Sequence, residues 1–254
     1  MMELEICVDS VESAIAAQEG GAHRVELCSA LSEGGLTPSA GLMRAVRAAV
    51  TIGVHAMIRP RGGDFFYSTD EYGIMQDDVA YALQCGVDGV VLGLLTADGR
   101  VDVERTAALV KMARPMFVTF HRALDMARDV RNALEDVIDS GADRILTSGA
   151  EPTALIGSEC LRDLVEVAGD RVRIMAGGGV RPQNVRQVAL ATGVSAFHAA
   201  LRTAVPSPAT YQNRKLSMGD QGRDEYARYV VLAKDVRELR EAMDGVFETK
   251  GTTA

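Results

Sequence analysis

The chain has 254 residues, 47% of them hydrophobic, a size and composition that suit one α/β barrel and exceed a small sandwich. A net charge of −8 and an isoelectric point near 5.1 argue against a nucleic-acid or anionic-membrane surface, which needs clustered positive charge. Four scattered cysteines without CxxC spacing form neither a disulfide framework nor a zinc finger, and no apolar run is long enough to span a bilayer.

The first element is a strand over Leu4–Val8. Leu4, Ile6 and Val8 share one face; Glu5, Cys7 and Asp9 share the other, because side chains alternate with period two. No basic segment and apolar run precede it, so no signal peptide is expected and the expected compartment is a reducing cytoplasm with free thiols. A helix over Ser10–Glu19 follows, with Asp9 and Glu12 as its expected capping pair. The strand Arg24–Cys28 repeats the unusual alternation: Val25 and Leu27 on one face, Arg24, Glu26 and Cys28 on the other. A glycine-bearing loop leads to a helix over Ser39–Val50. Val54–Ile58 is the third strand, broken by Arg59-Pro60-Arg61-Gly62-Gly63-Asp64.

Helix and strand then alternate regularly: Asp70–Gln84, Gly89–Leu92, Asp102–Ala113, Met116–Phe120, Asp129–Ser140, Asp143–Thr147, Leu155–Ala168, Arg173–Ala176, Pro182–Ala191 and Val194–His198. An irregular stretch over residues 204–224 precedes a final helix over Glu225–Met243. Eight such units in one chain predict a single (β/α)8 TIM barrel over residues 1–254. A doubly wound open sheet is the alternative, but no GxGxxG follows the first strand.

Barrel sites lie at the C-terminal ends of the strands. There the sequence collects Glu5, Cys7, Asp9, Glu26, Cys28, His55, Arg59, Thr119, His121 and His198. Glu5, Glu26, His55, Arg59 and His121 are the parts of acid–base catalysis, with one glutamate as base, one histidine as acid partner and Arg59 as clamp for an anion. The competing reading is a satisfied ion network, such as Glu26 with Arg59 or Arg24. The turn Gly177-Gly178-Gly179, expected to enter a helix directly, is a candidate anion site, as is the loop carrying Arg61. Cys7 and Cys28, near the ends of adjacent strands, are either two small buried hydrophobes or a soft-metal pair suited to Cu(I). The 11 methionines sit at core spacing and read as packing.

Seven segments together resemble the CutC copper homeostasis family. They are Cys7-Val8-Asp9-Ser10, Arg24-Val25-Glu26-Leu27-Cys28, the run from Glu33 to Ser39, the run from Ile58 to Phe65, Thr119-Phe120-His121-Arg122-Ala123, the run from Arg144 to Gly149, and Gly177-Gly178-Gly179-Val180. They occur in the family's order and span the first strand to the seventh. The resemblance implies a cytoplasmic, homo-oligomeric TIM barrel that controls copper and binds Cu(I) through the cysteines matching Cys7 and Cys28. The chain departs from the pattern at Ala196-Phe197-His198-Ala199-Ala200, where the family tends to carry Glu-Phe-His and a serine. The alternative function is a TIM-barrel enzyme that acts on a small phosphorylated or carboxylated substrate by Glu/His chemistry. The expected partner is therefore a copper ion or a small anion, with no nucleic acid and no membrane.

Overall fold

Eight parallel strands pair in chain order and the last pairs with the first, closing a (β/α)8 barrel. The computed structural model describes residues 2–216, 218 and 224–248. The barrel strands are β1 (Glu3–Val8), β2 (Arg24–Leu27), β3 (Gly53–Met57), β4 (Gly89–Leu92), β5 (Phe117–Phe120), β6 (Arg144–Thr147), β7 (Arg173–Ala176) and β8 (Ala196–Ala199). The helices between them are α1 (Val11–Glu19), α2 (Ala40–Ala49), α3 (Thr69–Gln84), α4 (Val103–Ala113), α5 (Val130–Asp139), α6 (Ser158–Ala168) and α7 (Val185–Thr192).

The strand wall divides the apolar residues into separate cores. Leu4, Ile6, Val8, Val25 and Leu27 point outward into one large cluster shared with the helices. Inside the barrel lie two small clusters, Cys7 with Cys28, Met57 and Val91, and Leu146 with Met175 and Ala196. The remaining interior is polar. Register explains who meets whom: Glu5 lies opposite Arg24 and His198, Cys7 opposite Glu26, and Glu26 opposite His55. The predicted inward face of the first two strands is thus observed.

The N-terminal ends of the strands form the floor. Arg24 reaches Glu3 at 2.7 Å and Glu5 at 2.5 Å, Arg144 reaches Glu3 at 3.1 Å, and Arg173 also contacts Glu3. Arg144 lies over the Phe117 ring at 4.5 Å.

Local signals set most helix starts. Ser39, Asp102 and Asp129 cap α2, α4 and α5, and Ser68 with Glu71 forms a reciprocal capping box on α3. Three expectations are corrected. The cap of α1 is Ser10, whose hydroxyl accepts from the Ser13 N–H, and not Asp9, which instead accepts from Arg202. Helix α7 begins at Val185 and not Pro182. The intervening turn is closed by the Asn184 side chain, which accepts from the Arg181 N–H and donates to the Gly179 carbonyl. The predicted final helix over Glu225–Met243 is first a strand, β10 (Ala227–Val230), antiparallel to β9 (Thr203–Pro206), and only then α8 (Ala233–Glu248). Much of the irregular stretch predicted over 204–224 is non-regular chain, with residues 217 and 219–223 outside the described residues. Helix α8 packs on α1 and α7 and buries Val236, Leu239 and Met243.

Candidate functional site at the barrel mouth

A cavity of about 380 Å³ opens at the C-terminal ends of the strands. Its size falls in the range of small-ligand pockets. One wall is supplied by β1, β2 and β8. The Cys7 and Cys28 sulfurs lie 3.8 Å apart, and the Cys28 thiol donates to Glu26 Oε2 at 3.5 Å. His198 holds Glu5 Oε1 through Nδ1 at 2.7 Å and turns Nε2 toward Glu26 Oε2 at 3.9 Å. One ligating atom each of Cys7, Glu26 and His198 lies within 4.8 Å of the others.

These groups settle one another's charges. The hydrogen bond with Cys28 draws the Cys7 thiol down to about 6; His198 and Glu26 add to this, against the effect of burial. The same sulfur contact and burial push Cys28 well up. Burial, together with the Cys7 and Glu5 charges, raises Glu26 well above the carboxylate range, against the pull of His198. Burial opposes a charge on His198, but Glu26, Cys7 and Glu5 override it and raise its pKa. Glu5 is also fully buried, yet Arg24 and His198 hold it ionised far below the usual value. Cys7 is therefore the thiolate of the group at neutral pH, and Cys28 keeps its proton.

The adjoining wall comes from β3, β5 and the loop after β3. The Arg59 guanidinium donates to the carbonyls of Glu33, Gly35 and Gly63 at 2.6, 3.2 and 2.8 Å. It stacks over Phe65 at 4.9 Å, and Phe65 in turn packs on the His121 ring at 4.9 Å. His121 fits only because residue 93 is glycine: a Cβ there would stand 2.4 Å from the imidazole. Burial, with Arg59 nearby, lowers the His121 pKa to about 3, so the ring is neutral. Its Nδ1 accepts from the Ala123 N–H at 3.2 Å, which leaves the proton on Nε2.

Arg122, Arg181, Arg202, Gly178 and Gly179 complete the rim. Arg122 is tied to Asp125 and Ser148, and Arg202 to Asp9. Gly178 and Gly179 have φ of 90° and 73°, and their N–H groups make no hydrogen bond to another described residue.

The cavity wall includes Cys7, Glu26, Arg59, His121, Gly178 and Gly179 from the predicted set. Cys28 lies just behind Cys7. Glu5 and His55 sit deeper, below the cavity; Glu5 orients His198, and His55 is held neutral, its pKa lowered to about 4 chiefly by burial. Gly177 stands behind the wall, its N–H on the Thr147 carbonyl. Arg61 is turned away from the cavity: it donates to Glu71 at 2.6 Å and Asp64 at 3.0 Å and to the Gly62, Asp64 and Phe66 carbonyls, so it braces its own loop. An ion network does reach Glu26, but through neither expected arginine: it runs from Arg24 through Glu5 and His198 to Glu26. The site choice missed His198, although period two on β8 gives it the inward face together with Ala196. Strand alternation reached neither Arg122, which opens a short 3-10 turn after β5, nor Arg202, on irregular chain after β8.

The fold and this site define a TIM-barrel protein with a sulfur-bearing mouth. The sequence profile of the CutC family matches residues 2–203, and the chain belongs to that family, which is associated with copper homeostasis. A CutC-family protein of Chromobacterium violaceum is 53% identical over 95% of this chain and 98% of the relative. The crystal structure of a CutC protein from Streptococcus agalactiae, proposed to act in copper homeostasis, superposes with a TM-score of 0.74 at 32% identity, over 78% of this chain and 98% of that one. Thiamine phosphate pyrophosphorylase of Pyrococcus furiosus, 20% identical with a TM-score of 0.60 over 97% of each chain, shares the fold. No described helix is long and apolar enough to cross a membrane.

Proposed function

We propose that this chain binds Cu(I) as cargo through Cys7 and Cys28, with His198 Nε2 as third ligand, and serves copper homeostasis in a reducing cytoplasm. The carrying observation is the 3.8 Å separation of the two sulfurs. Metal–thiolate bonds of about 2.3 Å at a trigonal or tetrahedral angle put two sulfurs roughly 3.8–4.0 Å apart, whereas a linear arrangement needs about 4.6 Å. The spacing favours a third ligand, and thiolate with imidazole suits a soft ion. Glu5 holds the Nδ1 side of His198, the kind of second contact that orients a ligating imidazole. Cys7 supplies a ready thiolate; Cys28 and His198 give up protons when the ion arrives.

Anaerobic competition with a Cu(I) chelator tests the reading. One ion per chain is expected, and Cys7→Ser or Cys28→Ser removes that binding. Unchanged affinity in either variant sinks the proposal. Because ligand protons are released, apparent affinity rises with pH from 6 to 8; a flat profile argues against thiolate ligation. The homo-oligomer belongs to the same proposal, and light scattering of the purified chain checks it.

A further inference from the structure

Three buried residues that line the cavity each carry a polar atom without a partner among the described residues: Glu26 Oε1, Arg59 Nε and His121 Nε2. Each residue is at most 5% exposed. A buried polar atom left unpaired costs roughly 1–3 kcal/mol, so three at one cavity point to a bound partner that fills them. Copper does not answer for Arg59 and His121. Neither supplies sulfur, and a guanidinium repels a cation.

The two atoms on this wall have a definite character. Arg59 Nε–H is a charged donor, and no carboxylate among the described residues pairs with Arg59. His121 spends Nδ1 on the Ala123 N–H, so its Nε2 is also a donor. Both residues pack on the same Phe65 ring and line the same cavity. Two fixed donors on one dry wall ask for an oxygen acceptor that carries negative charge. The rim repeats that demand. Arg202 Nε is unpartnered, and the N–H groups of Gly178 and Gly179 are unused by other described residues. Arg181 donates to the Val180 carbonyl and pairs with no described carboxylate.

We infer that the mouth is a second, metal-independent binding site for a small organic anion, one oxygen of which sits between Arg59 Nε–H and His121 Nε2–H while its far end meets the donors of Gly178, Gly179 and Arg202. The ligand class is a small acid with oxygen acceptors at both ends, a dicarboxylate or a phosphorylated alcohol. Cys7 lines the same cavity, so a bound anion and Cu(I) share one chamber.

Calorimetric titration of the metal-free full chain with succinate, with glycerol 3-phosphate and with inorganic phosphate tests this, and the better probe tells carboxylate from phosphate. One site per chain with a sub-millimolar Kd is expected for succinate or glycerol 3-phosphate. His121→Phe keeps the ring but loses the donor and weakens that binding about tenfold, whereas His121→Gln restores an N–H donor and recovers most of it. Arg59→Lys weakens it similarly. In nitrogen NMR, the His121 Nε2 resonance shifts on addition of the anion. Failure of all three probes to bind, or equal binding by the His121→Phe variant, overturns the inference. Cu(I) affinity measured on the His121→Phe chain stays unchanged, so the copper proposal and this one fail separately.

Discussion

Arg24 at the floor of the barrel and Arg59 at its mouth are both buried guanidiniums, 6% and 5% exposed, yet their surroundings differ in kind. Arg24 meets two carboxylates and the Met175 sulfur. Glu3, shared among Arg24, Arg144 and Arg173, binds four strands together across the axis. At the mouth Arg59 meets backbone carbonyls and the Phe65 ring but no described carboxylate, and keeps one N–H unused. Its neighbours Glu26 and His121 likewise keep one atom each. Buried charge that is paired holds a structure in register, and buried polarity left open marks a place for something else. Arg144 belongs with the floor: two of its nitrogens lack partners and its plane rests on a ring, as that of Arg59 does, but it also pairs with a carboxylate, Glu3, at 3.1 Å.

Three experiments break or sharpen this contrast, the largest effect first. Acid loads both ends at once. Burial lowers the pKa of His55 to about 4 and of His121 to about 3, from 6.5. Below pH 6.5 the unfolded chain takes up protons that these two folded imidazoles refuse, so their share of stability falls as pH drops from 6.5 toward 4 and is whole above 6.5, while Glu26 and His198, with raised pKa values, act in the opposite direction. The slope is about 1.4 kcal/mol per pH unit for each histidine. Glu3, held at about 2 against an ordinary 4.5 by Arg24, Arg144 and Arg173 although burial opposes this, adds a second loss as pH falls from 4.5 toward 2. Urea midpoints at pH 7, 5.5 and 4 read the first window, and a midpoint constant across them would mean that the neutral buried imidazoles do not dominate it.

Next, Arg24→Met strands the buried Glu5 carboxylate without its arginine. The expected loss is about 3–5 kcal/mol in urea unfolding; a loss below about 1 kcal/mol would mean that the floor is not held by charge. The smallest effect belongs to the mouth. His121→Phe removes a donor that has no partner but also the acceptor of the buried Ala123 N–H, so stability falls by about 1–2 kcal/mol. A loss as large as that of Arg24→Met would erase the distinction between the two ends.

Legibility in the sequence followed the range of the interaction. The inward placement of Glu5, Cys7, Glu26 and Cys28 was readable because alternation along a strand is local. The one cap read from the sequence, Asp9 with Glu12, fell one residue short of Ser10, because two adjacent capping types look alike until the backbone chooses between them. Arg61 was misjudged because an arginine beside glycines looks the same whether it faces an anion or Glu71, ten residues on. The hairpin before α8 escaped because β10 depends on β9 for its hydrogen bonds, and a lone charged segment reads as helix. His198 was passed over as a site residue because its meaning rests on Glu5, 193 residues away.

The sequence by itself determined the eightfold alternation, the barrel, the faces of its strands and the family. Only the tertiary structure decided which inward groups are paired and which stay open. Pairing inside a barrel is set by register across the closed wall, where a side chain meets partners from strands remote in the chain. Alternation fixes direction, and closure fixes company.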